Sequence, residues 1–245
     1  AMPKKKDNVL SRTALDQFLK CPRCFYVERR LGIKPPSMPP ITLGVAADAL
    51  LKLEFDRVRA TGETHPLWER EGLAVRAFAH ADFERWRGNF KGVRAQRGGF
   101  EIHGAIDDLW INQDSGELHV VDYKSTSKQG TPDIDSGFGL HYKRQAEVYQ
   151  WLLREEGHRV SDVAYFLYVN ASKTTPFYGS DQVGRMCFET TLIPYRGDAG
   201  WVPAAIDAAI ACHGGAEIPP ATEGCEMCTY IGKRVGAGAG LRPSS

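Results

Sequence analysis

Residues 117–127, ELHVVDYKSTS, constrain the fold more than any other stretch of the chain. The segment is rich in strand-forming residues and follows a turn, so it is predicted to form a strand. Asp122 and Lys124 stand two apart near its end, and side chains two apart on a strand point to the same face. Because so apolar a strand is expected to be buried, these charges must be paired or must bind a metal ion. Taken alone, the pattern is better explained by a structural ion pair.

A second predicted strand covers residues 98–112, and residues 113–116 (QDSG) join it to the first as a hairpin turn. If the turn centres on its last two residues, Asp107 lies opposite Lys124 and is a diagonal neighbour of Asp122. A slip of one residue would send Asp107 to the other face of the sheet. The hairpin is therefore expected to gather two carboxylates and a lysine.

This cluster is suited to the metal-assisted hydrolysis of a phosphodiester by Asp107, Asp122 and Lys124. Carboxylate oxygens are hard ligands that match Mg²⁺ or Mn²⁺, and such an ion activates water and stabilises charge on the phosphate. A lysine beside the ion can orient or deprotonate that water. Asp108 is expected to face away from the cluster, as a solvent-side or second-layer carboxylate.

Two motifs, G-x-x-D from Gly104 to Asp107 and V-D-Y-K from Val121 to Lys124, have a recognisable order. They resemble the core of the PD-(D/E)XK nuclease superfamily, in its RecB-type and CRISPR-adaptation-type branch. Further motifs of that branch follow the same order over nearly the whole chain: Ser11 and Thr13, Cys21-Pro22-Arg23, Gln145 and Tyr149, Cys225 and Cys228. No single motif is specific, whereas the ordered set is.

The resemblance implies a restriction-endonuclease-like core in which Asp107, Asp122 and the backbone carbonyl of Tyr123 ligate Mg²⁺ or Mn²⁺. Gln145 and Tyr149 lie one helical turn apart on one face, and by resemblance they hold the catalytic lysine or the substrate strand. The implied activity is exonucleolytic, on DNA ends or single strands.

One departure from the family pattern concerns the helix predicted over residues 43–60. The family commonly has G-x-x-x-H there, with the histidine as a metal ligand, whereas this chain has Gly44 and then Asp48. Its neighbours are apolar, so Asp48 is predicted to be a carboxylate embedded in an apolar helix. As a ligand it would complete an all-oxygen site. The alternative is a local salt bridge in a site that has lost a ligand. A further helix is predicted over residues 67–86.

Two C-x-x-C pairs, Cys21 with Cys24 and Cys225 with Cys228, make a complete four-thiolate set. The family cluster usually takes three cysteines from the C-terminal side, so Cys24 compensates here for a missing one. The set suits a [4Fe–4S] cluster or a structural Zn²⁺, and either would join the two ends of the chain. The resemblance favours iron–sulfur, and the paired spacing suits zinc equally. Disulfides are the alternative, which a cytoplasmic location disfavours.

The composition excludes a globally basic nucleic-acid binder, because the formal net charge is +1 with 25% charged residues. Contact with DNA must then come from local patches, and the candidates are Arg23, Arg94, Arg97 and Lys128. No apolar run approaches the length of a membrane span and no signal peptide is recognised, so no membrane association and a cytoplasmic location are expected.

The predicted fold is α/β, with a central mixed β-sheet flanked by helices and the N- and C-terminal segments joined at the four-cysteine site. One nuclease-like domain is predicted over residues 11–234, between flexible tails at 1–10 and 235–245. Its three parts are a helical N-terminal part, a sheet core with the hairpin, and a C-terminal helix with the cysteine segment: 11–97, 98–194 and 195–234.

The leading hypothesis is a metal-dependent DNA nuclease, of exonuclease type. The alternative is a catalytically weak or inactive DNA-binding module of a larger repair or defence complex, and Asp48 in place of the usual histidine motivates it. A structural protein in which Asp122 and Lys124 form only an ion pair is disfavoured by the ordered set of motifs.

Overall fold

The computed structural model describes residues 8–37, 39 and 41–238. These residues form, in chain order, β1 (Val9–Ser11), α1 (Arg12–Lys20), α2 (Pro22–Arg29), α3 (Thr42–Thr61), α4 (Pro66–Arg70), β2 (Val75–Ala77), α5 (Phe83–Arg87), β3 (Val93–Arg97), β4 (Phe100–Gly104), β5 (Asp108–Asn112), β6 (Leu118–Thr126), α6 (Gly139–Glu155), β7 (Val163–Ala171), β8 (Phe188–Arg196), α7 (Val202–Gly214) and α8 (Glu226–Gly238). Within this described part, no helix is both long and apolar enough to span a membrane.

Packing divides the chain into two compact units. The first contains the described residues of Ala1–Met38, Gln96–Glu101 and Trp201–Ser245, and the second contains those of Pro39–Ala95 and Ile102–Gly200. Strands β3 and β4 each contain residues of both units. This division does not test the single domain predicted over residues 11–234, which stays a prediction.

The predicted tails include some regular structure. Residues 1–7 and 239–245 lie outside the described residues. Val9 and Leu10 belong to strand β1, and Leu10 is buried with only 2% of its surface exposed. Helix α8 continues to Gly238, so residues 235–238 are helical. The tails were therefore predicted too long at both ends.

The first unit is built mainly from helices. Ser11 caps α1, since its side-chain oxygen accepts a hydrogen bond from the backbone N–H of Ala14 at 3.1 Å. Helices α1 and α2 pack against α7, and the Tyr26 hydroxyl donates to the carbonyl of Gly215 at 3.0 Å. These contacts fix α2, whose first turn carries two of the four clustered cysteines.

The second unit contains a five-stranded mixed sheet in the order β2-β5-β6-β7-β8. Strands β6 and β7 are parallel, and the other neighbours are antiparallel. The predicted α/β class with a mixed sheet is confirmed, but the strands form two sheets: β1, β4 and β3 make a separate one.

Helix α3 covers one face of β6 and helix α6 covers the other. Successive side chains of a strand alternate between its faces, so neighbouring residues of β6 contact different helices. The Tyr123 ring lies 5.9 Å from the Phe55 ring of α3, between ring centroids. On the other face, Asp122 accepts a hydrogen bond from Gln145 of α6. The central strand therefore carries aromatic packing on one face and polar chemistry on the other.

An aromatic core fixes α3 against the sheet. The Phe55 ring lies 5.4 Å from the ring of Trp110 and 5.9 Å from that of Trp68, and all three side chains are at most 1% exposed. Complete burial of one large apolar side chain contributes about 1.5–3 kcal/mol. This core holds the helix that carries Asp48 at a fixed distance from the end of β6.

The strand predicted over residues 98–112 is in fact two strands in two sheets, β4 and β5, separated by residues 105–107. The break lies next to Gly104, and a Cβ atom there would stand 2.6 Å from the Tyr149 ring. The backbone leaves the strand conformation just before Asp107, so this carboxylate lies at the start of β5 rather than within a long strand.

The hairpin register also differs from the predicted one, by two residues. Asp108 pairs with Val121, and Ile111 pairs with Leu118. The Asn112 side-chain oxygen accepts the backbone N–H groups of Asp114 and Ser115 at 2.9 and 2.8 Å, which moves the turn towards the N-terminus. A shift of two residues preserves the face of every paired side chain. Asp107 lies just before the paired residues, and its contact with the backbone N–H of Tyr123 places it beside Asp122.

The helix predicted over residues 67–86 is wrong. The structure has a short α4, then β2, then a short α5. Gly72 has φ +63° and follows the end of α4, and Val75 and Ala77 then pair with β5 as a sheet edge. Pairing with a neighbouring strand overrides the apolar spacing that suggested a helix.

Candidate active site and four-cysteine site

Four of the predicted site residues form one connected polar group between β6 and α6. The Lys124 ammonium group pairs directly with Oδ2 of Asp122, whose side chain is only 1% exposed. Gln145 donates its amide to Oδ1 of Asp122 at 2.8 Å and to the Tyr149 hydroxyl at 3.1 Å. Lys124 also lies 3.5 Å from the amide oxygen of Gln145. Both oxygens of Asp122 are therefore held by neighbouring side chains.

Asp107 joins this group from the start of β5. Its Oδ2 accepts the backbone N–H of Tyr123 at 3.0 Å, and its side chain is 22% exposed. Burial and the nearby charge of Asp122 both raise the pKa of Asp107 above its usual value, although Lys124 and Lys52 oppose the shift. Two carboxylates thus repel each other at the end of the hairpin.

A divalent cation fits this donor set. Binding of a cation would relieve the repulsion between Asp107 and Asp122, and carboxylate oxygens are the ligands that Mg²⁺ and Mn²⁺ prefer. Oδ1 of Asp107 accepts no hydrogen bond from the described residues and is the atom best placed to meet an ion. Ligation by the Tyr123 carbonyl stays a prediction.

Asp48 lies on α3 and lines a small open cleft together with Tyr123 and Lys124. The prediction that Asp48 is embedded in an apolar environment is wrong, because its side chain is 36% exposed. The nearby Leu50 and Leu53 are themselves more than 60% exposed. Its role as a metal ligand stays a prediction.

Lys52 is a residue of the site that sequence reasoning missed. Its Nζ lies 2.8 Å from Oδ2 of Asp48 and 3.5 Å from Oδ1 of Asp107. Burial lowers the pKa of Lys52, but the charges of Asp107 and Asp48 raise it more, so the net shift is upward. Its spacing of four residues from Asp48 on a helix was the signal that could have revealed this contact.

A buried network lies behind the carboxylates. Asp108 is fully buried, pairs with Arg59, and accepts the Tyr123 hydroxyl at 2.5 Å. Arg87 donates to the backbone carbonyl of Asp107 at 3.1 Å. Burial raises the pKa of Asp108 even though Arg59 opposes the shift. Asp108 is thus a second-layer carboxylate, one of the two placements expected for it, and the network fixes the backbone on both sides of the site.

Two glycines allow the elements of the site to approach closely. A Cβ atom on Gly104 would lie 2.6 Å from the buried Tyr149 ring, and one on Gly44 would lie 3.0 Å from Oγ of Ser125. These are the glycines of the G-x-x-D motif and of the segment that leads to Asp48. Gly104 therefore allows β4 to pack closely against α6, and Gly44 allows α3 to pack closely against β6.

The predicted DNA-contacting residues are mostly engaged elsewhere. The Arg94 guanidinium donates to the carbonyls of Phe90 and Lys91 in the turn that precedes its strand, β3. Lys128 pairs with Asp133 at 2.6 Å. In the first unit, Arg97 forms two bonds to Asp207, of 2.7 and 2.6 Å, and Arg23 is exposed. Their contact with nucleic acid stays a prediction.

An aromatic ring that was not predicted for the site covers the lysine. Nζ of Lys124 lies 4.4 Å from the ring centroid of Tyr142, a distance at which a cation is attracted to the ring face. The Phe138 ring lies 6.3 Å from the Tyr142 ring and is 70% exposed. The sequence analysis gave Tyr142 and Phe138 no role in the site.

The four predicted cysteines cluster within the first unit. Their sulfur atoms all lie within 4.8 Å of one another, and three pairs are 3.5, 3.7 and 3.8 Å apart. All four are free thiols. Cys21 is the N-cap residue of α2, and Cys225 directly precedes α8. This group joins the N- and C-terminal segments, as predicted.

The pKa values of Cys21 and Cys24 are shifted in opposite directions. Burial alone would raise the pKa of Cys21, but hydrogen bonds from the backbone of Thr222 and Cys24 and from neighbouring thiols lower it to about 6. Burial and the neighbouring thiol of Cys228 raise the pKa of Cys24. A bound cation would favour deprotonation of all four, and thiolates are suitable ligands for zinc or iron.

A mixed sheet that gathers two carboxylates and a lysine beside a helix amide has the chemistry of a metal-dependent phosphodiester hydrolase. The sequence model of the PD-(D/E)XK nuclease superfamily matches residues 9–232, so the chain belongs to that superfamily. Membership implies a nuclease that uses a divalent metal and binds nucleic acid. No match is found among curated proteins.

Proposed function

We propose that the protein is a Mg²⁺- or Mn²⁺-dependent deoxyribonuclease that acts as an exonuclease on DNA ends or single strands. The observation that carries the proposal is the placement of two carboxylates at the end of β6: Asp122 pairs with Lys124, and Asp107 accepts the backbone N–H of the intervening Tyr123 at 3.0 Å. A divalent ion bound there supplies an activated water and stabilises charge on the phosphate.

The side chains have distinct roles in this proposal. Asp107 and Asp122 hold the ion, with the carbonyl of Tyr123 and with Asp48. Lys124 orients the attacking water or takes its proton. The bonds from Gln145 and Tyr149 fix Asp122 and keep the lysine in reach, which supports positioning roles for both.

The aromatic rings beside the lysine support a preference for unpaired bases. Phe138 is exposed, the Tyr142 ring lies 6.3 Å from it at a tilt of 35°, and Tyr142 in turn covers Lys124, so the two rings form a short aromatic surface beside the lysine. Aromatic rings bind bases of a single strand with little dependence on sequence, at about 1–3 kcal/mol per base. In a duplex the bases already stack on each other and are not free to stack on these two rings.

The test is cleavage of labelled single- and double-stranded DNA in Mg²⁺, Mn²⁺ or EDTA, with single-stranded RNA and circular single-stranded DNA as further substrates. We expect metal-dependent cleavage of linear DNA, lost in Lys124→Ala and kept in Lys143→Ala. Lys143 is a matched control, since it is similarly buried but pairs with Asp135 on a loop. Cleavage of the circle would contradict an exonuclease, and equal activity of Lys124→Ala would contradict the assigned role.

A second candidate is a DNA-binding module that cuts poorly, within a larger repair or defence complex. The pairing of Asp122 with Lys124, and of Asp107 with Lys52, supports it, because each carboxylate already has a cationic partner. DNA binding without cleavage under every metal condition would favour this candidate over the enzyme.

For the four-cysteine site we propose one Zn²⁺ ion. A tetrahedral zinc with Zn–S bonds of about 2.3 Å separates its sulfurs by about 3.8 Å, close to the 3.5–3.8 Å of three of the sulfur pairs, and all four sulfurs lie within 4.8 Å of one another. A [4Fe–4S] cluster binds each cysteine through a different iron and needs wider spacing. Metal analysis of anaerobically purified protein should find one zinc per chain; brown protein with four irons would contradict the proposal.

We also propose a cytoplasmic location, since a reducing compartment keeps the four thiols available to a metal ion. Localisation of the tagged protein in cells, with a non-reducing gel of its thiols, would test this. Disulfide-linked cysteines in protein taken directly from cells would count against it.

A further inference from the structure

Lys52 connects two parts of the candidate active site that lie on different elements. It follows Asp48 by one helical turn on α3, and its ammonium group also reaches Asp107 at the start of β5. The Lys52 side chain is 27% exposed, so most of it is removed from water. Helix spacing explains the contact with Asp48 but not the contact with Asp107.

The atom that Lys52 approaches on Asp107 is informative. Oδ2 of Asp107 accepts the backbone N–H of Tyr123, so Oδ1 is the oxygen left for a ligand. Lys52 lies 3.5 Å from this Oδ1. An i,i+4 ion pair on a helix surface is common and needs no further role, whereas this lysine also reaches the oxygen of Asp107 that is left for a metal ion.

We propose that Lys52 is a tethered cation that competes with the divalent metal ion for Asp48 and for Oδ1 of Asp107. It thereby weakens metal binding and limits the number of ions that the site holds. This inference rests on the proposed function, because it concerns the same metal site. Lys52 acts through the carboxylates of Asp48 and Asp107 and is therefore a positioning residue. Lys124 keeps its proposed role, which is to orient the attacking water or take its proton.

The charges of the site support the inference. Asp48, Asp107 and Asp122 carry three negative charges, and the two lysines carry two positive charges, which leaves a net charge of −1. A neutral residue in place of Lys52 changes the net charge to −2, which one divalent ion balances. Because the site excludes part of the solvent, a unit charge a few ångströms from the ion acts strongly.

The experiment measures Mn²⁺ binding to the full chain by electron paramagnetic resonance and calorimetry, with the four-cysteine site filled. The variants are Lys52→Met, Lys52→Arg and Lys143→Met. Lys143 has 25% exposure and a 2.6 Å pair with Asp135, so it matches Lys52 in burial and pairing without contact to Asp107. Asp107→Asn identifies the binding that belongs to this site.

We expect Lys52→Met to bind Mn²⁺ about tenfold more tightly, or to bind a second ion; tenfold corresponds to ~1.4 kcal/mol. Lys52→Arg, which keeps the charge, and Lys143→Met should both match the wild type. Lys52→Gln replaces Lys52→Met if the latter unfolds. Unchanged or weaker binding in folded Lys52→Met overturns the inference alone. Absence of Asp107-dependent Mn²⁺ binding in every protein overturns the metal site of the proposed function as well.

Discussion

The phenol oxygen of Tyr123 is a single atom whose removal tests the network behind the site. The hydroxyl donates to Oδ2 of Asp108 at 2.5 Å, and Asp108 is fully buried. Oδ1 of Asp108 is occupied by Arg59 and by the backbone N–H of Leu109. Tyr123→Phe keeps the packing of the ring while it removes the donor to Oδ2.

The expected loss follows from the charge and burial of the acceptor. A hydrogen bond to a charged group contributes about 1.5–3 kcal/mol, and a buried oxygen left without its donor costs a comparable amount. In the described part of the chain, Oδ2 of Asp108 has no donor besides Tyr123. We expect Tyr123→Phe to lower the free energy of unfolding by about 2 kcal/mol.

The assay is urea unfolding at neutral pH, followed by tryptophan fluorescence, since Trp68 and Trp110 belong to the same core cluster as Tyr123. Tyr165→Phe is the matched control, because Tyr165 shares this core but its hydroxyl has no hydrogen-bond partner among residues 8–37, 39 and 41–238. A loss below about 0.5 kcal/mol in Tyr123→Phe, or an equal loss in both variants, would refute the reasoning.

Gly104→Ala should lower the free energy of unfolding by about 1–3 kcal/mol, because the new methyl group would meet the Tyr149 ring at 2.6 Å; urea unfolding measures it. Burial lowers the pKa of His65, whose neutral ring accepts the backbone N–H of Leu67. The stability from His65 is therefore present above its unfolded pKa of 6.5 and is lost as pH falls from there towards the lower folded value. His65→Asn, which keeps the cap, should flatten the stability profile between about pH 7 and 5.5. Cys228→Ser should release the metal ion and lower the unfolding temperature, as metal analysis and calorimetry would show.

Each of these changes has a control in the chain. Gly232→Ala adds a methyl group into open space on α8 and should not destabilise the protein. Cys212→Ser removes a thiol outside the four-cysteine group and should leave the metal content unchanged. An unaltered pH profile in His65→Asn, or full metal content in Cys228→Ser, would show that the physical reason given is wrong.

The parts of the site that depend on local periodicity were predictable. Asp122 and Lys124 are two apart on one strand, and Gln145 and Tyr149 are four apart on one helix, so each pair had to share a face. The two C-x-x-C pairs were equally predictable as a group, because four thiols are rarely left unligated in such an arrangement.

The parts that depend on tertiary pairing were not predictable with the same accuracy. The hairpin register moved by two residues, since the Asn112 side chain forms the turn and its chemistry was not considered. Asp107 lies just outside the paired residues, and its hydrogen bond from the backbone N–H of Tyr123 keeps it beside Asp122. The apolar spacing of residues 67–86 suggested a helix, but pairing with β5 requires a strand at Val75–Ala77. Neither the geometry of the turn nor the pairing of β2 with β5 can be read from a short stretch of sequence.

Charge pairing in the site connects the stability of the fold with its proposed chemistry. A buried carboxylate is costly unless a cation or several donors hold it. In this chain Lys124 holds Asp122, and Lys52 holds Asp48 and one oxygen of Asp107. The lysines therefore allow the hairpin to fold before a metal ion arrives. The same contacts oppose the metal ion when it binds, so an arrangement that stabilises the free protein also sets an upper limit on its affinity for the ion.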